Sequence, residues 1–415
     1  MHNNVFMKKV FDKMKNNPKL AFLLLLVIME FVYWLKVDWY SLSSYFHNDI
    51  FDTFMDYFNM LWTVGTDHAS LYETKVIYPA FCFLLWDILF SFMPNSVQKL
   101  SAFELRGNQY ALFPFTILLI VITIFLWELL KRSYGRSNLE NVVFALSMIM
   151  SGPILITIER GNIIFLAFVF TLVFGLYYNS EKKWLRYLAY IALAMSAAIK
   201  IYPALFGVLI ISRKRWKEAV IAIILGVLIF VLPFIEFGGL SSIITLFDNI
   251  LFASPVLADR GTGYNFSFMN LIKIVQVLSG NAVTGQAMML RLIPICITVF
   301  VYLTSIEEWK RMMAIVLFCI WIPEFSYTYT LIFFILPFVF FLKINKKMEV
   351  IDSIYMLLFL VIFIPTATVS FPEVEIGAKY PLSGSVMITN AGIVAFSLLL
   401  VMEGVISTVK KIKKS

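Results

Sequence analysis

Residues 20–37 read LAFLLLLVIMEFVYWLKV, a run in which only Glu30 and Lys36 carry charge. As an α-helix it would rise roughly 27 Å with every backbone hydrogen bond satisfied internally, which suits the roughly 30 Å hydrocarbon core of a bilayer. The rest of the chain has the same character. It has 415 residues, 60% hydrophobic and 14% charged, with 41 Phe and a mean hydropathy of +0.85, more apolar surface than a soluble core can hide. The runs at 110–130, 217–235 and 386–402 are comparable, whereas strands of an outer-membrane barrel would be shorter and alternating. Lys8, Lys9, Lys13, Lys15 and Lys19 precede the first run and no small-residue cleavage site follows it, so an uncleaved first helix is expected.

The net charge of +8 does not point to nucleic acid, because the basic residues fall in short clusters between apolar runs. Clusters at 8–19, Lys131/Arg132/Arg136, Lys182/Lys183/Arg186, Arg213/Lys214/Arg215/Lys217, Lys343/Lys346/Lys347 and Lys410/Lys411/Lys413/Lys414 are assigned to the cytoplasmic side. Keeping them all inside makes each intervening stretch cross an even number of times. Residues 141–178 then form two helices, rising to about Ile158 and descending from about Asn162, with Glu159-Arg160-Gly161-Asn162 at the outer surface. Residues 187–212 form two short spans with Lys200-Ile201-Tyr202-Pro203 at or just below the outer turn.

The same rule makes 38–109 one large outer loop, and 77–93 (IYPAFCFLLWDILFSFM) an interfacial or re-entrant helix rather than a crossing. Asp87 in its middle is easier to place at an interface than at the bilayer centre. The remaining elements are 217–236 up, an outer loop 237–285, then 286–304, 312–325, 327–343, 350–367 and 386–404. The expectation is an all-α polytopic membrane protein, one integral domain over 1–415, with about twelve crossings: 110–236 carries helices two to seven and 286–415 the C-terminal helices. Both termini are cytoplasmic, the membrane is the plasma membrane, and the lipid bilayer is the obligate partner.

Polar groups of the outer surface gather in three places. The first loop holds His47-Asn48-Asp49, then Asp52-Thr53-Phe54-Met55-Asp56-Tyr57-Phe58-Asn59, followed by Glu73, Lys75 and Tyr78-Pro79. Asp49, Asp52 and Asp56 are three and four apart, so on one helix they would share a face opposite Phe51, Phe54, Met55 and Phe58. Such carboxylates are either a solvated face or, beside the bilayer, a general base for an acceptor hydroxyl, because desolvation raises their pKa. The second place is Glu159-Arg160-Gly161-Asn162. The third is Lys200, a lysine in an apolar stretch that must snorkel or meet an anion. The loop 237–285 adds Asp259-Arg260-Gly261-Thr262-Gly263-Tyr264-Asn265-Phe266-Ser267, expected as a flexible lid or acceptor loop. Three scattered histidines and Cys82, Cys296 and Cys319, far apart in apolar sequence, give neither a metal site nor a disulfide framework.

The acidic Asp52-Thr53-Phe54-Met55-Asp56-Tyr57, the following Tyr78-Pro79, Arg160-Gly161-Asn162 opening a helix, and Lys200-Ile201-Tyr202-Pro203 closed by Arg213-Lys214-Arg215-Trp216 together resemble glycosyltransferase family 87. The likeness covers roughly residues 20–270. It implies a GT-C fold, a polyprenyl-phosphate sugar as co-substrate with no cofactor, and metal-independent, inverting transfer to an extracytoplasmic glycan or glycolipid. It implies Asp56 or Asp52 as base, with Asp56 preferred because it lies deeper in the aromatic stretch. Lys200, Arg160 and Lys75 would contact the donor phosphate. Asp49, Tyr78, Glu159, Asn162, Tyr202, Arg260 and Asn265 would line the substrates. The family pattern has one acidic residue before Tyr and often Tyr-Pro-Pro, where this chain has three Asp and Tyr-Pro-Ala. The alternatives are a flippase or transporter of a lipid-linked saccharide, using the same Arg/Lys pair to hold phosphate, and a polysaccharide polymerase or ligase.

Overall fold

The computed structural model describes residues 17–36, 53–260, 264–279, 287–344, 348–364 and 384–413. Among these the fold is helical throughout, apart from one antiparallel bridge between Asn265 and Tyr327. Helix α1 (Pro18–Lys36) is the first apolar run; the segment expected as the first outer loop contributes α2 (Met55–Val64) and α3 (Ala80–Ser91). Then come α4 (Gln109–Tyr134), α5 (Asn138–Ile149), α6 (Gly152–Glu159), α7 (Ile164–Tyr177), α8 (Lys183–Ile199) and α9 (Trp216–Val231). The chain continues with α10 (Ser242–Arg260), α11 (Phe268–Ser279), α12 (Ala287–Thr304), α13 (Glu308–Trp321), α14 (Ile335–Lys343), α15 (Val350–Phe363) and α16 (Gly384–Ile412).

Among the described residues, three helices are long and apolar enough to cross a membrane by themselves: Gln109–Tyr134, Trp216–Ile235 and Val386–Ile412. The pair α5/α6 makes a fourth if taken as one bent span, broken by 48°. Pro153 suits this break: it has no N–H to continue the bonding of α5 and sits in the first turn of α6, where none is needed, so the rising path expected over 141–158 is interrupted at the extended Ser151. Helix α3 has 12 residues, so it rises about 18 Å and falls short of the hydrocarbon thickness.

Two apolar cores follow from this arrangement. The larger, centred on α7, α13, α14 and α15, is packed with aromatic rings such as Phe168, Trp309, Phe338 and Phe359. The smaller joins the first-loop helices to the neighbouring ends of α4, α7 and α9 through Tyr57, Phe58, Trp86, Phe115, Ile163 and Phe234. Tyr57 is fully buried, stacks on Phe115 with ring centroids 4.1 Å apart, and donates from its hydroxyl to the Ala111 carbonyl at 2.6 Å. Helices α2 and α3 therefore form a packed cap.

The expectation of a flexible loop over 237–285 is corrected: α10 and α11 occupy most of it. Helix α10 is amphipathic, with Ile244, Phe247, Leu251 and Phe252 exposed and Leu246 and Asn249 turned inward. The Asn249 amide donates to the carbonyls of Tyr72 and Val76, at 2.9 and 3.0 Å, which fastens the helix across the cap.

Basic clusters from distant parts of the sequence converge on one end of the molecule. Lys19 donates to the carbonyls of Leu342 and Ile344, and Arg186 grips Glu218, whose other oxygen accepts from Tyr190. Arg213 meets Glu308 at 3.2 Å, and Arg215 donates to the Tyr178 carbonyl. Arg186 and Lys200 sit at the two ends of α8, about 21 Å apart at 1.5 Å per residue. The polar residues around Asp56 and Arg160 meet at the second end.

Candidate active site

The site is assembled where α6 stops and α7 begins. Gly161 there has φ of 63°, a left-handed conformation in which a side chain is strained. A Cβ added to it would lie 3.0 Å from both the Phe54 Cα and the Tyr57 Cβ, so the absent side chain is what lets the cap come down on this turn. The backbones then bond directly, Phe54 N–H to the Glu159 carbonyl at 2.6 Å and Asp56 N–H to the Arg160 carbonyl at 3.0 Å.

That contact aims the Asp56 side chain inward. Oδ1 accepts from Arg160 Nη2 at 2.8 Å and Oδ2 from Asn162 Nδ2 at 2.6 Å. Asn162 also bonds the Tyr78 hydroxyl at 3.2 Å, while its own oxygen accepts from the Ile164 N–H and so caps α7. Each carboxylate oxygen keeps a second lone pair, so Asp56 can still accept a hydrogen bond from a substrate hydroxyl. Arg160 is 6% exposed, and its Nε and Nη1 have no hydrogen-bond partner among the described residues. Leaving such donors unmade in a buried place costs about 1–3 kcal/mol or more, which favours an anionic ligand at this point.

Lys200 lies in the connection beyond α8, half-buried, with its ammonium 4.0 Å from the Tyr78 ring centroid and 5.8 Å from that of Tyr329. It makes no ion pair among the described residues. Burial pulls it down to about 8, partly offset by Asp56 nearby. A phosphate beside it would hold it charged. Cys82 anchors α3 here by donating to the Ile199 carbonyl at 3.2 Å; burial pushes its thiol up to about 12, so it is neutral.

An apolar groove of about 540 Å³ opens next to Lys200 between α8, the 202–212 segment and α9. Its walls include Ala197, Ile201, Leu205, Ile211, Ile223 and Phe230, with almost no polar surface. It runs from the residue following Lys200 toward the basic end.

The structure thus gathers Asp56, Tyr78, Arg160, Asn162 and Lys200. Glu159, partly buried, enters through its carbonyl, and Tyr202 lies alongside with its ring against Phe333 and its hydroxyl buried. Asn265 is committed to structure: its amide bonds the Glu324 carbonyl and accepts from the N–H groups of Ser267 and Ser326. Lys75 is exposed and rests over the Phe252 ring at 4.5 Å, with no described contact to the cluster. The shared carboxylate face is corrected in part. Helix α2 begins at Met55 behind a left-handed Phe54, so Asp56 stands in the first turn facing Arg160 rather than on an outward acidic face. Asp49, Asp52 and the Arg260 side chain lie outside the described residues.

Two members were missed by sequence reasoning. The Tyr327 ring centroid lies 5.5 Å from the Arg160 guanidinium carbon, and the Tyr329 ring lies 4.9 Å from that of Tyr327 and 5.8 Å from the Lys200 ammonium. Their signal was Ser326-Tyr327-Thr328-Tyr329-Thr330, five polar-tipped residues inside an apolar run at an outer turn.

Compared with known proteins, residues 94–323 match the model of glycosyltransferase family 87. No curated protein and no solved structure matches significantly. The matched stretch holds Arg160, Asn162 and Lys200 but stops short of Asp56 and Tyr78 on one side and of Tyr327 and Tyr329 on the other.

The Gly161 geometry gives a direct expectation. Gly161→Ala adds about 1–2 kcal/mol of left-handed strain plus the clash with Phe54 and Tyr57. Its thermal unfolding midpoint in detergent should fall and transfer activity should be lost, whereas Gly135→Ala, with φ of 67° but open space around it, should cost only the strain.

Proposed function

This chain belongs to glycosyltransferase family 87, and we propose that it moves a hexose or pentose from a polyprenyl-phosphate donor to an extracytoplasmic glycan or glycolipid, with inversion and without a metal. The observation that carries the reading is one partly buried carboxylate paired with Arg160, with Lys200 close by across the Tyr78 ring and an apolar groove next to it. The carboxylate suits deprotonation of an acceptor, the cations suit a phosphate leaving group, and the groove suits a long isoprenoid chain.

In this mechanism Asp56 accepts the proton of the acceptor hydroxyl as its oxygen forms a bond to the anomeric carbon. The bond from that carbon to the phosphate oxygen breaks on the opposite face, and its electron pair leaves with the lipid phosphate. Lys200 and the free Nε and Nη1 of Arg160 stabilise the charge developing there, in a half-dry site where such donors act most strongly. Arg160 also holds Asp56 in place through Nη2, while Asn162 fixes its other oxygen. The Asp56 pairing keeps the carboxylate oriented without consuming its accepting capacity.

The reading includes a GT-C fold of twelve crossings with both termini cytoplasmic, so that the Asp56 end faces outward and the basic end inward. A carrier or flippase would use the same phosphate contacts but would have no need of a base.

Asp56→Asn should therefore lower transfer by about 10²–10⁴-fold, the usual worth of a positioned general base, while polyprenyl-phosphate binding to the purified protein changes little. Full transfer by Asp56→Asn would remove Asp56 from the mechanism. The orientation is read by cysteine labelling in a Cys296→Ser background. Ser96→Cys and Ser241→Cys, both exposed, should react with an impermeant reagent in intact cells, and Asn138→Cys and Asn179→Cys should not. The opposite pattern would invert the topology.

A further inference from the structure

A second cavity, of about 310 Å³, lies at the meeting of α10, α11, α12 and the turn after α13. It is lined by Met269, Asn270, Lys273, Arg291 and Glu324, with Asn265 in its wall. Asn265 forms the antiparallel bridge to Tyr327, and the Tyr327 ring faces Arg160. One residue pair therefore separates this cavity from the Asp56 cluster. The wall is rigid: Asn265 Nδ2 and Ser267 Oγ both donate to the Glu324 carbonyl at 2.9 Å, and the Phe266 N–H bonds the Ser326 carbonyl at 2.8 Å.

The lining differs in kind from the apolar groove beside Lys200. Lys273 and Arg291 donate, the Glu324 carboxylate accepts and pairs with Arg291, and Asn270 carries both functions. A bare phosphate or a lipid headgroup would ask for cations without the carboxylate. Sugar hydroxyls are donors and acceptors at once and ask for the mixture found here. A row of rings, Tyr264 to Tyr327 at 5.7 Å and Tyr327 to Tyr329 at 4.9 Å, leads from the cavity wall toward Asp56 and offers flat faces to a sugar ring.

From this placement we infer that the cavity is the acceptor subsite, holding a saccharide unit of the acceptor while the row of tyrosines directs its reactive hydroxyl to Asp56. The inference rests on the glycosyl-transfer reading and adds the residues that choose the acceptor. Donor and acceptor then approach from opposite sides of the Arg160–Tyr327 contact.

The test uses the full-length protein in nanodiscs, radiolabelled polyprenyl-phosphate mannose, glucose and galactose as donors, and a panel of octyl glycosides as acceptors. Arg291→Ala and Met269→Trp, the second filling the cavity while leaving the Arg291–Glu324 pair in place, should each raise the acceptor KM at least 10-fold with donor KM unchanged. Arg291→Lys should restore part of the loss. Both variants showing a wild-type acceptor KM, or raising donor and acceptor KM alike, would overturn the subsite and leave the transferase reading standing. A wild-type protein that consumes no donor would instead bring down the transferase reading, and the subsite with it.

Discussion

The structure depends on one close approach: the cap of α2 and α3 meets the turn between α6 and α7 at Gly161, where the left-handed backbone and neighbours 3.0 Å from a would-be Cβ leave a side chain strained and crowded. Because the backbones of Phe54 and Asp56 bond directly to the carbonyls of Glu159 and Arg160, residues more than a hundred positions apart are fixed to each other. The carboxylate of Asp56 has little choice of direction after that. It is delivered to Arg160 and Asn162, and Asn162 in turn caps the helix that forms the middle of the main core. Site geometry and fold stability are thus coupled through the same turn.

Burial gives the polar cluster its chemical character. Arg160, Asn162 and Tyr78 are all buried, and Lys200 is half-buried beside them, in a part of the molecule otherwise packed with Phe, Tyr and Leu. In water the same four residues would be solvated and chemically unremarkable. Here electrostatic interactions are less screened and unmade hydrogen bonds are costly, so the pairing with Asp56 and the two unpartnered Arg160 nitrogens define a place prepared for an anion. Separation of surfaces completes the arrangement. The apolar groove lies on the Lys200 side and the mixed polar cavity on the Tyr327 side, which in the proposed reaction gives donor and acceptor distinct approaches to one carboxylate.

Much of this was legible in the sequence, for identifiable reasons. Apolar runs bounded by lysine and arginine mark helix ends strongly, and the 77–93 run does hold a helix, of 12 residues. Arg160, Asn162 and Lys200 stood out because polar groups in apolar surroundings are costly. Helix α10 was hidden because the crossing rule counts spans and says nothing about amphipathic helices that lie across a cap; its exposed Ile244, Phe247 and Leu251 recur at helical spacing. The orientation of Asp56 was also hidden, since three acidic residues at helical spacing imply one continuous helix, and the left-handed Phe54 that interrupts it depends on a tertiary contact. Tyr327 and Tyr329 were overlooked for a similar reason: aromatic residues in an apolar segment are usually packing, and only the fold places these two against Arg160 and Lys200.

The central claim is that Asp56, Arg160 and Lys200 form one site for a sugar carried on a lipid phosphate. A cryo-EM map of the protein bound to polyprenyl phosphate addresses it most directly. The account places the phosphate within hydrogen-bond reach of both Lys200 and Arg160, with the isoprenoid chain along Ile201, Leu205 and Phe230. Phosphate density at the basic end near Arg186 and Arg213, or out at Lys75, would contradict it.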